Sequence, residues 1–313
     1  MRIPEITYKK TSNWIKRNSR PLEEARWDYL FEGGSDDRVI NLLSSFQNKD
    51  GGFGHGIEPD FWSPYSSPMA TWTAGQVLME VKANPNITLI EAMIAYLVKT
   101  NDSETGMWPS VLPENNHHPH APWWHWEEGV QKFWMFNPSV ELGAFLIHWS
   151  KKESEASQIG WNTIRKAIER LMHTEEMDKH EINNYQQCLR IIHPQIDIFY
   201  KKTNYKWTEV SSKVHSLVER CMNKDSSSWS EDYEPMPLDF ITGPNDELSN
   251  KYSDLVERNL QFYIDQMSGD GIWDISWSWG SYQNDFSVAR QQWKGILAVN
   301  RYKTFQAFGL LRK

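Results

Sequence analysis

Gln47-Asn48-Lys49-Asp50-Gly51-Gly52-Phe53-Gly54 reads as the end of one helix, a tight turn, and an aromatic anchor leading to the next element. A degraded copy stands near the other end of the chain, Gln266-Met267-Ser268-Gly269-Asp270-Gly271-Ile272-Trp273. Each has a glutamine at a helix end, an acid-glycine pair and an aromatic ring. Weaker versions stand at Asn101-Asp102-Ser103-Glu104-Thr105-Gly106-Met107-Trp108 and Asn223-Lys224-Asp225-Ser226-Ser227-Ser228-Trp229. Glycine reaches the left-handed conformation that ends a helix at little cost. The aspartate can bond nearby backbone N–H groups, and the ring pins the turn to adjacent helices. One turn recurring along a chain marks a repeat architecture.

Around these turns the apolar residues recur at helical spacing. The pattern predicts helices over 12–30 (interrupted near Pro21), 37–47, 67–82, 87–99, 138–150, 157–173, 182–200, 206–222, 246–267 and 285–299, followed by a terminal segment with Phe305 and Phe308. No alternating strand or hairpin pattern stands out. The expected class is all-α, with about ten or eleven helices in pairs. No linker or low-complexity tract divides residues 1–313, which favours a single domain.

A net charge of −8 argues against nucleic acid or an anionic membrane surface as a partner. No apolar run reaches the length of a membrane span, and the N-terminus lacks a signal-peptide core. Cys188 and Cys221 stand far apart, with neither disulfide framework nor metal-ligand spacing; cytoplasm is the expected compartment. The composition is dominated by 17 tryptophans, with 12 tyrosines and 13 phenylalanines, so aromatic-lined surfaces or cavities are expected.

The turn pattern resembles the repeat of the terpenoid cyclase and protein prenyltransferase superfamily. There a Gln-x-x-Asp-Gly-Gly-aromatic turn joins an outer helix to an inner one. The resemblance implies an α/α toroid whose inner helices surround a cavity, with the loops after equivalent turns gathered at one mouth. The superfamily's best-known reactions do not come with it. No Asp-x-Asp-Asp proton donor is present, Glu58-Pro59-Asp60 being the nearest approach. Neither cysteine stands in the Asp-x-Cys of the prenyltransferase zinc site, and Asp36-Asp37 is not followed by the rest of an Asp-Asp-x-x-Asp magnesium site.

Long ordered loops in helical proteins tend to be functional, and three stand out: 50–66, 106–137 and 268–284. The first carries His55, Glu58, Asp60 and Trp62, a histidine and two carboxylates of the kind acid–base catalysis uses. The second runs His117-His118-Pro119-His120-Ala121-Pro122-Trp123-Trp124-His125-Trp126-Glu127-Glu128. Trp123, Trp124 and Trp126 are expected to wall a ligand, with His120 and Glu127 pointing at it; a packed lid is the competing reading. Its histidines and glutamates also suit a divalent metal, but their spacing matches no helix-borne site, so no cofactor is expected. In the third loop, period-two alternation places Trp273, Trp277 and Trp279 on one face, with Asp274 disposed differently.

The leading expectation is a small-molecule ligand or substrate in an aromatic cavity. Glu58, Asp60 and Glu127 are the candidate acids, and His55 and His120 their proton partners. Trp62, Trp123, Trp124, Trp126, Asp274, Trp277 and Trp279 are the candidate binding residues. A glycan-active α/α barrel and a non-enzymatic aromatic scaffold remain open beside it.

Overall fold

The computed structural model describes residues 1–230 and 233–311; over these the chain is 62% helical, with no strand. In chain order the helices are α1 (Glu5–Asn18), α2 (Pro21–Trp27), α3 (Asp36–Leu43), α4 (Pro68–Glu80), α5 (Thr88–Thr100), α6 (Gln131–Trp134), α7 (Ser139–Trp149), α8 (Glu155–His173), α9 (Lys179–Ile192), α10 (Ile196–Thr203), α11 (Trp207–Cys221), α12 (Glu247–Lys251), α13 (Ser253–Asp265) and α14 (Gln283–Ala307).

Local chemistry sets many of the boundaries. Pro68 opens α4, where the Ser67 hydroxyl accepts the Ala70 N–H. Ser154 caps α8 and Asp178 caps α9 in the same way. The helix expected over 182–200 is two helices, because Pro194 offers no N–H to continue α9 and a 3-10 turn intervenes. The helix expected over 246–267 divides at Tyr252. The last helix runs on to Ala307, so Phe305 belongs to its final turns.

The chain divides into two compact units, a contiguous one over Ser44–Cys221 and a composite one made of Met1–Leu43 and Met222–Lys313. In the contiguous unit α7 is the centre, with nine apolar or small side chains of its eleven residues buried among α4, α5, α8 and α9. Gly143 and Gly160 let α7 and α8 approach so closely that a β-carbon on Gly160 would lie 2.5 Å from the Gly143 carbonyl oxygen. In the composite unit α14 lies against α1 and α2. Its core is aromatic: Trp27 meets Tyr302 edge-on at 5.0 Å and Phe31 at 4.6 Å, and Thr11 shares a 2.7 Å hydrogen bond with the Tyr302 hydroxyl.

Candidate functional site

Three copies of the turn share one hydrogen-bond ring. Asn48 donates to the Gly52 carbonyl (2.8 Å) while Gly51 donates back to Asn48 (3.0 Å). Ser268 donates to Ile272 (2.9 Å) and Gly271 to Ser268 (2.9 Å). Asp102 donates to Met107 (3.0 Å) and Gly106 to Asp102 (2.7 Å), with one extra residue in the ring. Gly51, Gly106 and Gly271 all have positive φ, and Phe53, Trp108 and Trp273 follow as buried anchors. This register pairs Gln47 with Met267, so Gln266 is not the counterpart of Gln47. Asp50 and Asp270 share the register but not the role: Asp50 accepts the Gly52 N–H, whereas in the last copy the Ser268 hydroxyl accepts the Ile272 N–H. At 223–229 the ring does not form, because Asn223 donates to Pro235 instead.

The first two long loops belong to the contiguous unit and are paired through backbone. Ala121 donates to the Asp60 carbonyl (2.8 Å) and Trp62 to that of Pro119 (2.9 Å). This brings Asp60 and His120, both buried, onto neighbouring strands of chain. Trp124 is buried and stacks on Trp134 at 4.6 Å, with Phe61 at 4.9 Å. The Trp62 indole donates to the Pro59 carbonyl, fixing its own loop. Trp126 and Glu127 border a concavity of about 340 Å³ with Asp102, Trp108, Val130 and Gln131, while Trp123 stands out at the surface.

The other candidates are placed differently. His55 is exposed, its Nε2 2.9 Å from Asn48 Oδ1, and so is tied to the turn. Glu58 is half-buried, and Glu127 is exposed rather than desolvated beside its aromatic neighbours. His120 donates through Nδ1 to the His118 carbonyl (2.6 Å) and lies stacked on His125, Nε2 to Nδ1 3.1 Å. Among the described residues no three His, Cys, Asp or Glu side chains are grouped to hold a metal ion. In the composite unit the alternation over 273–280 is realised: Trp273 and Trp279 are buried, Trp277 half-buried, and the even-numbered residues exposed. Asp274 is engaged by Arg290 and Lys294; despite partial burial these cations hold its carboxyl below the usual range.

Sequence reasoning missed the most unusual carboxyl. Glu141 lies on α7, is 2% exposed, and faces three donors from two other helices. The Trp72 indole of α4 donates to Oε2 (2.7 Å), Asn184 of α9 to the same oxygen (3.0 Å), and Gln76 of α4 to Oε1 (3.4 Å). Burial pushes the carboxyl up to about 7, against the pull of those bonds and of the Arg190 charge. Cys188, one α9 turn beyond Asn184, is driven well above the usual thiol range by burial and by the Glu141 charge, and so sits as a thiol. The signal was legible in Ser139-Val140-Glu141-Leu142-Gly143-Ala144-Phe145: one acid inside an otherwise apolar or small run. Compared with known proteins, this chain matches no family model, no curated protein and no solved structure.

Proposed function

We propose that the chain is a divergent α/α-toroid protein of the cyclase and prenyltransferase kind, which binds a small molecule and exchanges a proton with it through Glu141. The carrying observation is Glu141 itself: a carboxyl poised near neutrality inside a polar cluster drawn from three helices. A general acid or base is most effective when its pKa lies near the working pH. The toroid reading is supported by how the turns hand over to helices. Phe53 donates its N–H to the Thr71 hydroxyl in the first turn of α4, and Trp108 to the Ser139 hydroxyl at the start of α7. Counted from these hydroxyls, Gly75 and Gly143 each stand four residues on, and we read α4 and α7 as inner helices. On that assignment the Glu141 cluster belongs to the cavity wall, and Asp60, His120 and the tryptophans of the second loop to its mouth.

The test is turnover of a fractionated metabolite extract, followed by mass spectrometry, with wild type and Glu141→Gln. Consumption of a compound by wild type and a loss of about a hundredfold or more in a folded Glu141→Gln protein supports the reading. Equal consumption by both removes Glu141 from the chemistry. The exposed rings of Tyr65, Trp123 and Phe133 favour a second reading, an aromatic binding scaffold.

A further inference from the structure

The concavity of about 340 Å³ beside the second long loop shares no residue with the Glu141 cluster. Its size is at the lower end of small-molecule sites, which run from about 300 to 1,000 Å³. The wall is almost wholly apolar. Met107, Pro109, Trp126 and Val130 are its accessible apolar members, while Trp108 and Val111, on the same lining, are buried. Two charged residues stand on the lining, Asp102 and Glu127, and both are acids.

The wall is fixed by bonds within the chain. Asn116 takes the Trp126 N–H (2.8 Å) and donates to the Trp126 carbonyl (2.9 Å), clamping that peptide from both sides. The Gln131 side chain donates to the Ser110 hydroxyl (3.2 Å) and the Met135 carbonyl (2.8 Å) and accepts the Ser110 N–H (2.8 Å). The Asp102 carboxylate takes the Thr105 hydroxyl (2.7 Å) and the Glu104 N–H (2.9 Å), bonds that hold it below its usual range and keep it charged. Lys166, bound to the Ser103 and Glu104 carbonyls, offsets part of that charge. Glu127 has no such offset: among the described residues its exposed carboxylate meets neither a cation nor a hydrogen-bond donor. The half-buried Trp126 ring likewise lies against no other aromatic ring and no cation among those residues.

We propose that this concavity binds a free small quaternary ammonium, its methyl groups against Trp126, Met107 and Val130 and its charge met by Glu127 and Asp102. The site goes beyond the Glu141 reading and does not depend on it. Tryptophan is the best aromatic partner for such a cation, and aromatic walls are its usual recognition device. A primary ammonium must place three N–H donors, for which an apolar wall is unsuited. An anion would face two acids with no cation on the lining. A neutral hydrocarbon would gain nothing from Glu127.

The experiment is titration calorimetry of the intact chain with choline, with neohexanol, which has the shape of choline without the charge, and with butylammonium. Saturable binding of choline is expected, about tenfold or more tighter than that of neohexanol, and weakened about threefold or more in both Glu127→Gln and Trp126→Leu. Equal binding of choline and neohexanol, tighter binding of butylammonium, or no binding of choline overturns the proposal; so does wild-type affinity in Glu127→Gln, a change at an exposed position. Should Trp126→Leu not fold, Trp126→Phe identifies the Trp126 indole N–H in a nitrogen–proton correlation spectrum as the signal it lacks. A shift of that signal with choline supports the site, and its indifference overturns it. Retention on phosphatidylcholine vesicles with free choline inert would assign a lipid headgroup and overturn a free ligand.

Discussion

The turns ending in Phe53 and in Trp273 close the same hydrogen-bond ring, yet they meet opposite ends of the helix that follows. Phe53 and Trp108 bond hydroxyls in the first turn of α4 and at the start of α7. Trp273 instead packs against Tyr302 and Phe305, at the far end of α14, with centroids 6.0 Å away in each case. The difference lies in what the intervening residues do. The stretches after Phe53 and Trp108 fold over and pair with each other. The stretch from Trp273 to Gln283 is ten residues without a helix, which at ~3.3 Å each can reach about 33 Å at most. Tyr302 lies nineteen residues into α14, about 29 Å along a helix. The turn therefore specifies a local ring and a contact for its glycine, and nothing about direction.

That glycine contact is the sharpest place to press the comparison. The three glycines share a positive φ but meet different neighbours: a β-carbon would lie 2.1 Å from the Ala92 carbonyl oxygen at Gly51, 2.3 Å from the Thr11 hydroxyl at Gly271, and 2.9 Å from Lys166 Cδ at Gly106. Backbone cannot yield, a hydroxyl yields partly, and a lysine stem yields easily. Gly51→Ala should destabilise by about 4 kcal/mol or more, Gly271→Ala by about 2–3, and Gly106→Ala by about 1–2. Denaturant unfolding checks the order; three equal losses would mean that only φ matters.

The two units also differ in how they treat an acid withdrawn from solvent, Glu32 in part and Glu141 fully. Glu32, in the composite unit, is held below its usual range: burial opposes ionisation, but bonds from Lys16, Ser12 and Trp27 and the Lys16 charge outweigh it. Glu141 goes the other way, to about 7 from an ordinary 4.5. Glu32 therefore contributes stability that is present above the unfolded carboxyl range and lost as pH falls through its lowered folded value. Glu141 binds a proton more tightly folded than unfolded, so stability declines as pH rises from about 4.5 to about 7, by about 3 kcal/mol at most. Glu141→Gln should flatten that decline in a pH series of melting curves, and Glu32→Gln should reduce only the acid-side loss. An unchanged neutral-side slope in Glu141→Gln would contradict the assignment.

Smaller effects separate the two hand-overs. Thr71→Val leaves the buried Phe53 N–H without its acceptor and should destabilise by about 1–3 kcal/mol. In the composite unit the Trp273 indole donates to the Tyr263 carbonyl (2.7 Å), and the Arg301 guanidinium lies over the Trp273 ring, 4.9 Å from its centroid. Trp273→Phe removes the bond and keeps a ring, for about 1 kcal/mol. Calorimetric melting of both variants checks the ranking, and a larger loss for Trp273→Phe would reverse it.

Helical periodicity revealed nearly every helix and the all-α class, because amphipathic spacing follows from burial itself. The glycine-aromatic half of the turn was equally legible. The glutamine was not: besides its local bond to Gly51, Gln47 donates to the Leu89 carbonyl, a long-range bond that no local pattern encodes. The candidate acids stand beside tryptophans in loops, and proximity in sequence does not desolvate a group, as exposed Glu127 shows. Glu141 was passed over because its donors come from α4 and α9, dozens of residues away in either direction.

The composite unit is closed by segments from opposite ends of the sequence. Ile3 donates to the Leu310 carbonyl (3.0 Å), and α1 and α2 complete their packing only against α14. The contiguous unit is drawn from one unbroken stretch, complete in sequence at residue 221. Residues 1–43 must wait for on the order of 270 more residues, roughly ten to sixty seconds at ~5–20 residues per second. Throughout that interval Trp27 and Tyr8 lack Tyr302, the ring they pack against in the finished protein. The aromatic core of the composite unit is thus completed only by the last helix to be made.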